Sequence, residues 1–317
     1  MDKLIANILP NAVILPEISP LSYEFGGMTP LDQEIIIPDG NAIPFLPSFE
    51  SQAGVYLDSF GCISHSFENA CETYHKAKYG EEPNYSDRDL VVLSGTKPRY
   101  GNSGEKVAAT AKEKGLIPQE LGDWDMKDRN PKMTEEFYYS YVRSTEGEEA
   151  AKQFKKDYEI ITELVGRDKW ADASRCGVLQ VYVKAWVLDE NGKYINPTGT
   201  YNHAVMMADY KTCKIFDTYE PRIKQLDSWE SAYPLALKVN LIKKNMDKPV
   251  IKNNSLVILV EGKGSIGLFL DGKIIEDDVA KVMAVFMARN AKSGEFTGGP
   301  VRSLTQEQWD MFDKRTL

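Results

Sequence analysis

Cysteine and histidine are scarce in this chain, with four and three copies among 317 residues. So few cysteines exclude a disulfide-stapled scaffold, and any working thiolate needs a reducing setting or local activation. No block of lysine and arginine interrupts a net charge of -9, which argues against nonspecific binding to nucleic acid or to an anionic lipid surface. No apolar run approaches membrane-spanning length. The opening stretch MDKLIANILPNAVILPEISP is apolar, but prolines interrupt it and no clean small-residue cleavage site follows. No signal peptide is therefore expected, and the chain is expected to be cytoplasmic at synthesis. What remains is an ordinary globular composition, 42% hydrophobic and 27% charged, long enough for one sizeable domain and a small one.

The scarce residues are concentrated. DSFGCISHSFENACETYHKAKYG, residues 58–80, holds two of the four cysteines and two of the three histidines. Cys62, His65, Cys71 and His75 have spacings that zinc ligands often show. The same run reads as a helix, with Ile63, Phe67, Ala70, Cys71 and Tyr74 on an apolar stripe and Gly80 placed to stop it. On a helix Cys62 and Cys71 face opposite sides, and Cys62 and His75 lie about 20 Å apart along the axis. Four such ligands do not converge on one ion, so no metal is expected. Cys62 follows Phe60-Gly61 at the start of this helix, where free backbone N–H groups and the positive end of the macrodipole favour a thiolate. On these residues alone, a nucleophile and a small buried thiol remain equally open readings.

Along the chain, residues 1–50 form an extended arm rich in proline, with short apolar runs such as EIIIP and AIPFLP. A second helix is expected over 104–115, closed by Gly115. A third is expected over 145–165, opened by a Thr145-x-x-Glu148 capping box and carrying Phe154, Tyr158, Ile161 and Leu164 on one stripe. Strand-like runs follow at 177–188, 203–210 and 213–219. A main domain is expected over 51–245, and the character changes near residue 250. SLVILVEGKGSIGLFLDGKIIE reads as a three-stranded meander, followed by a helix from Asp277 and another opened by Thr305-x-x-Gln308. Residues 250–317 therefore read as a small appended module.

The second chemical signal is YNHAVMMADYKTCKIFDTYEP, residues 201–221. A hairpin turning at Lys211-Thr212 brings His203 and Asp217 close to opposite each other, where facing side chains interact. A carboxylate beside a histidine sets its tautomer and holds its ring, which favours chemistry over a passive core histidine.

FGCISHSF resembles the nucleophile segment of papain-like cysteine peptidases, NHAVMMADY their histidine strand, and KIFDTYEP the strand after it. His203 follows Cys62 by 141 residues, as in papain and cathepsin relatives. YSDRDLVVLSGTKPRYGNSGEKVAATAKEKGLIPQELGDW resembles the segments between, so the likeness runs from about residue 50 to about residue 225. It implies an α+β fold of two lobes, one helical and opened by the nucleophile helix, the other an antiparallel β lobe. It also implies Cys62 as nucleophile, His203 as general base, Asp217 in the orienting role usually held by asparagine, and Gln52 as oxyanion donor. Asn102, Ser103 and Gly104 would line the cleft wall in contact with substrate, beside Tyr219, which would shield the His203–Asp217 bond. No cofactor is implied. The departures are that Gln52 stands ten residues before Cys62 rather than six, that no tryptophan follows Cys62, and that a nearby disulfide cysteine is missing. The arm segments FGG, IPDG and FLPSFESQ, with NYSDRDL, are similar to peptidases of this type encoded by bacteriophages and some bacteria.

The expected activity is cleavage of a peptide or amide bond through an acyl-enzyme. The substrate is expected to be a polypeptide, such as a phage structural precursor, or a peptidoglycan stem peptide. Acyl transfer by the same pair and a catalytically silent, virion-associated relative are the alternatives. The module after residue 250 lacks histidine and cysteine and reads as a docking element for a virion or cell-surface component.

Overall fold

The computed structural model describes residues 13–17, 34–48, 52, 57–123, 134–185, 187–190, 193–195 and 200–244, together with the strand residues 256–260, 266–270, 273–275, 302–304 and 314–315. The chain divides into two compact units, Met1–Lys244 and Asn245–Leu317.

In the first unit, Val13–Ile14 (β1) pairs in parallel with Asn102–Ser103 (β2), so the arm is stitched onto the body. Further along the arm, the N–H groups of Ile36 and Ile37 donate to Arg175 O, and that of Ala42 to Ala208 O. The main sheet is antiparallel and has six strands. They are Tyr158–Gly166 (β3) and Val178–Val183 (β4), then, beyond the small Val187–Leu188 (β5) and Tyr194–Ile195 (β6) pair, His203–Asp209 (β7), Lys214–Phe216 (β8), Ile223–Gln225 (β9) and Leu235–Lys243 (β10). Their order is β3-β10-β4-β7-β8-β9. Helices Cys62–Tyr79 (α1), Gly104–Lys114 (α3), Thr145–Asp157 (α4) and Trp170–Cys176 (α5) pack against it, and Asp87–Leu93 (α2) packs on α1 and α3. The unit is thus a mixed α+β fold.

Period-two alternation in the central strands separates two cores. Val178 and Tyr182 of β4 and Ala204, Met206 and Ala208 of β7 join the core shared with α1. Leu179, Val181, Val183, Val205 and Met207 join the core on the other side, with Trp170 and Trp229. Helix α1 packs against β4, β7 and β10. Every residue from Cys62 to His75 is buried, eight of them polar or charged. A buried helix of that composition needs partners for its polar groups, and the site below supplies several. Gly80 ends it at φ +74, where a β-carbon would be strained.

Two expectations change. The helix expected over 145–165 ends at Asp157, and Tyr158–Gly166 is strand β3. YEIITELVG pairs with nine residues of β10, and that ladder outweighs the helical spacing of Tyr158, Ile161 and Leu164. The cap is Ser144, whose side chain accepts from Gly147 N–H, rather than Thr145.

In the second unit, Leu256–Val260 (β11), Ile266–Leu270 (β12) and Lys273–Ile275 (β13) form the antiparallel meander. Arg302–Leu304 (β14) joins β11 in parallel, and Lys314–Arg315 (β15) joins β13 in parallel. The helices expected from Asp277 and from Thr305 begin outside the described residues.

Candidate active site

The turn entering α1 is shaped by its neighbours. Phe60 takes φ +51, unusual for a bulky residue, and its N–H donates to Asp58 Oδ1 at 2.9 Å. A β-carbon at Gly61 would sit 2.5 Å from Val91 Cγ2, so glycine is required by close packing against α2. The first turn of α1 is then tied to the sheet. Gln180 of β4 donates to Ile63 O and to Ser66 Oγ, each at 2.7 Å, and Ser66 Oγ donates to Cys62 O at 2.6 Å. These bonds hold Cys62 at the helix start.

His203 opens β7, paired across β4 with Val183. Its Nε2–H donates to Asp217 Oδ1 at 2.7 Å. The Cys62 side chain lies near enough to His203 to raise it, and with Nε2 committed to Asp217, Nδ1 is the ring nitrogen left to serve the thiol. Burial works against the imidazolium, but the Asp217 charge, its hydrogen bond and the Cys62 contact outweigh burial and raise His203 to about 10. Asp217 accepts further hydrogen bonds from Tyr219 N–H at 3.2 Å and from Lys224 Nζ, at Oδ2, at 2.6 Å. Burial pushes its carboxyl up, yet His203 and Lys224 hold it below its ordinary value. Both Cys62 and His203 are 0% exposed.

The hairpin geometry differs from the expected one. Met206 pairs with Phe216 and Met207 with Ile215, with an irregularity before Asp209. Continued outward, that register sets His203 opposite Tyr219, so Asp217 is the diagonal neighbour of His203 and not its direct partner. Diagonal neighbours remain within reach of a long side chain on the same face.

The other expected site residues divide. Gln52 lies at the site with both amide hydrogens engaged, one by Tyr219 OH at 2.7 Å and one by Asp58 Oδ1 at 3.1 Å, while its Oε1 accepts from Thr218 Oγ1 at 2.8 Å. In this arrangement it braces the loop after β8 instead of presenting an unoccupied donor. Tyr219 lies with its ring centroid 5.4 Å from that of His203, buried, its hydroxyl donating to Asp58 Oδ2. Asn102, Ser103 and Gly104, expected at the cleft wall, are each held by neighbours within the unit. Asn102 is buried and donates to Ser94 O, Ser94 Oγ and Thr96 Oγ1. Ser103 caps α3 by accepting from Lys106 N–H. Gly104 faces β4 so closely that a β-carbon would sit 2.4 Å from Tyr182 Oη.

Three residues absent from the expected set hold this site together. Asp58 gathers Phe60, Gln52 and Tyr219, Thr218 anchors Gln52, and Lys224 grips Asp217. By contrast, His65 turns away from the pair. Its Nδ1 lies 2.9 Å from Asp87 Oδ2 and its Nε2 3.4 Å from Ser59 Oγ.

No protein-family model matches this chain, and no curated protein matches it. Among solved structures, the chain is similar to the digestive procathepsin L2 proteinase of Tenebrio molitor larval midgut, at 12% identity and a TM-score of 0.48, over 76% of this chain and 80% of that one. It is also similar to xylellain, a cysteine protease from Xylella fastidiosa, at 15% identity and a TM-score of 0.46, over 74% of this chain and 96% of that one. A third likeness is to the Carica candamarcensis cysteine protease CMS1MS2, at 13% identity and a TM-score of 0.43, over 62% of this chain and 94% of that one. Among the described residues, no helix is long and apolar enough to cross a membrane.

Proposed function

We propose that this chain is a papain-like cysteine peptidase that cleaves a peptide or amide bond through a Cys62–His203–Asp217 mechanism. The observation that carries the reading is that His203 donates to the Asp217 carboxylate while the Cys62 side chain lies near enough to raise the imidazole, although the three residues come from a helix start, a strand start and the loop after another strand. Such convergence of a thiol, an imidazole and a carboxylate is what nucleophilic acyl transfer requires.

In this mechanism His203 carries the proton and the thiolate of Cys62 attacks the carbonyl carbon. The His203 imidazolium then protonates the departing amine, leaving a thioester on Cys62. Water, deprotonated by the now neutral imidazole, attacks the thioester and releases the acid, which restores the thiolate–imidazolium pair. Asp217 holds the ring through Nε2–H so that Nδ1 faces sulfur during both proton transfers. Gln52 contributes to oxyanion binding only by exchanging one of its present acceptors for the substrate oxygen.

The substrate class is a polypeptide or a peptidoglycan stem peptide. The likeness of the arm segments to phage-encoded peptidases supports a phage setting, in which the second unit would dock to a virion or cell-surface component. A peptidyl vinyl-sulfone probe tests the catalytic reading. It should label Cys62 in the native chain, and His203→Ala should abolish labelling while the fold persists. Labelling that survives His203→Ala would overturn the reading.

A further inference from the structure

Lys224 does something unusual for a lysine. Its ammonium is sealed inside the protein, with the side chain 1% exposed, 2.6 Å from Asp217 Oδ2. It also donates to the carbonyl oxygens of Tyr219 and, at 2.8 Å, Pro221. The topology explains the placement. Lys224 of β9 pairs directly with Ile215 of β8, and Asp217 stands two residues beyond Ile215 on the same face. The carboxylate therefore lies between two cationic side chains, His203 on Oδ1 and Lys224 on Oδ2.

Resting on the proposed Cys62–His203 chemistry, we propose that Lys224 is a positioning residue that offsets part of the charge of Asp217, so that the carboxylate holds His203 as a rigid hydrogen-bond acceptor without setting a full uncompensated charge near Cys62. Three arguments converge. An ammonium this deeply buried is strongly destabilising without a counter-charge, so Asp217 and Lys224 act as one unit. The two carbonyl contacts immobilise the ammonium, and the ammonium in turn fixes Oδ2, so the carboxylate cannot rotate away from the imidazole. A carboxylate without its ammonium would also add a full negative charge beside a site that must hold a thiolate, whereas one paired with Lys224 adds less. Tyr219 lies beside the ring, and its hydroxyl donates to Asp58 Oδ2.

The test uses the full chain and iodoacetamide alkylation of Cys62 as a function of pH, with melting measured in parallel. The acidic limb of the alkylation profile reports thiolate formation, and its position is read instead of its plateau. Lys224→Met should move that limb upward by about one pH unit, as the loss of a nearby positive charge does. The double variant Asp217→Asn with Lys224→Met removes both charges and should return the limb to its wild-type position with recovered melting. If Lys224→Met does not fold, the double variant decides alone: a limb at the wild-type position supports the inference, and a displaced limb overturns it. An unmoved limb in folded Lys224→Met also overturns it. A wild-type limb that does not respond to His203→Ala would bring down the proposed function, and this inference with it, and is recognisable because it needs no change at Lys224.

Discussion

Asp217 accepts the Nε2–H of His203 at 2.7 Å from a diagonal position across the β7–β8 hairpin, two residues short of the one that the ladder sets opposite. The diagonal leaves Tyr219, in the facing position, to lay its ring beside the imidazole. The same offset directs Oδ2 of Asp217 towards β9 and Lys224. Replacing Asp217 by alanine removes the acceptor and leaves a sealed ammonium without its counter-charge. We expect turnover to fall by about one to three orders of magnitude and melting to drop as well. Unlike a simple exchange of carboxylate for amide, Asp217→Asn alone should also destabilise, because Lys224 keeps its charge. Steady-state rates and thermal melts of both variants check this.

Alkylation should discriminate among the four cysteines. Burial pushes the thiols of Cys71 and Cys176 up, and burial likewise raises Cys213. Cys62 instead sits beside an imidazolium that persists to about pH 10. With a small neutral haloacetamide near pH 6, Cys62 should react ahead of the other three despite being fully enclosed. Cys213, which is only half-buried, should catch up only in alkaline solution, because burial raises its thiol. Peptide mapping by mass spectrometry reads the order, and uniform labelling at pH 6 would contradict it.

Cys62→Ala and His203→Ala should each abolish peptide cleavage, and the double variant should be no worse than either, because residues acting as one unit are not additive. His65→Ala should leave the chemistry standing and instead loosen the 59–62 turn through Ser59 and Asp87. Loss of chemistry on His65→Ala with full activity in His203→Ala would reverse the assignment.

How much of this was legible in the sequence follows from the range of each signal. The nucleophile helix could be bounded from Gly61 and Gly80, since a helix start and a left-handed stop are local events. His203 and Asp217 could be paired because one hairpin joins them, although the irregularity before Asp209 moved the register. Lys224 was not readable: within PRIKQL it looks like any solvated lysine, and its burial depends on the β8–β9 pairing. Tyr158, Ile161 and Leu164 fit a helix stripe as well as a strand, and the choice is made by β10, far along the chain. For Asn102, Ser103 and Gly104 the likeness suggests a place at the cleft but not the partners that hold them, Ser94, Thr96, Lys106 and Tyr182, because those come from a loop, a helix cap and a facing strand.

His203 also links stability to pH. Its folded-state value of about 10 lies above the unfolded value near 6.5, so its contribution is fully present below about pH 6.5 and is lost as pH rises through 10. Melting temperatures of the native chain should fall across that window, and those of His203→Ala should fall less. Parallel curves for the two proteins would show that His203 is not the linked group.

Glu68 carries the last prediction. It sits about one and two-thirds turns along α1 from Cys62, 2% exposed, and among the described residues neither carboxyl oxygen has a hydrogen bond of good geometry. Burial raises its carboxyl well above the ordinary value, and the neighbouring charges of Asp87, Glu72 and Asp89 add to the effect. Around it, α2 presents Asp87 and Asp89 and α1 presents Glu72 and Cys71. Asp87 is in turn paired with His65, and Asp89 with Arg143. A carboxyl raised on folding stabilises while it is protonated, so its contribution is complete below about pH 4.5 and is lost progressively as pH climbs through the folded-state value. Glutamine keeps the shape, never ionises, and its amide can donate to Asp87. Glu68→Gln should therefore stabilise the chain at pH 8 by on the order of 1–3 kcal/mol, a rise of a few degrees in melting temperature, and much less at pH 5. Differential scanning calorimetry at the two pH values measures the contrast. A variant equally or less stable than the native chain at pH 8 would mean that Glu68 is held ionised by a partner, and that the acidic cluster beneath the nucleophile helix is balanced in some other way.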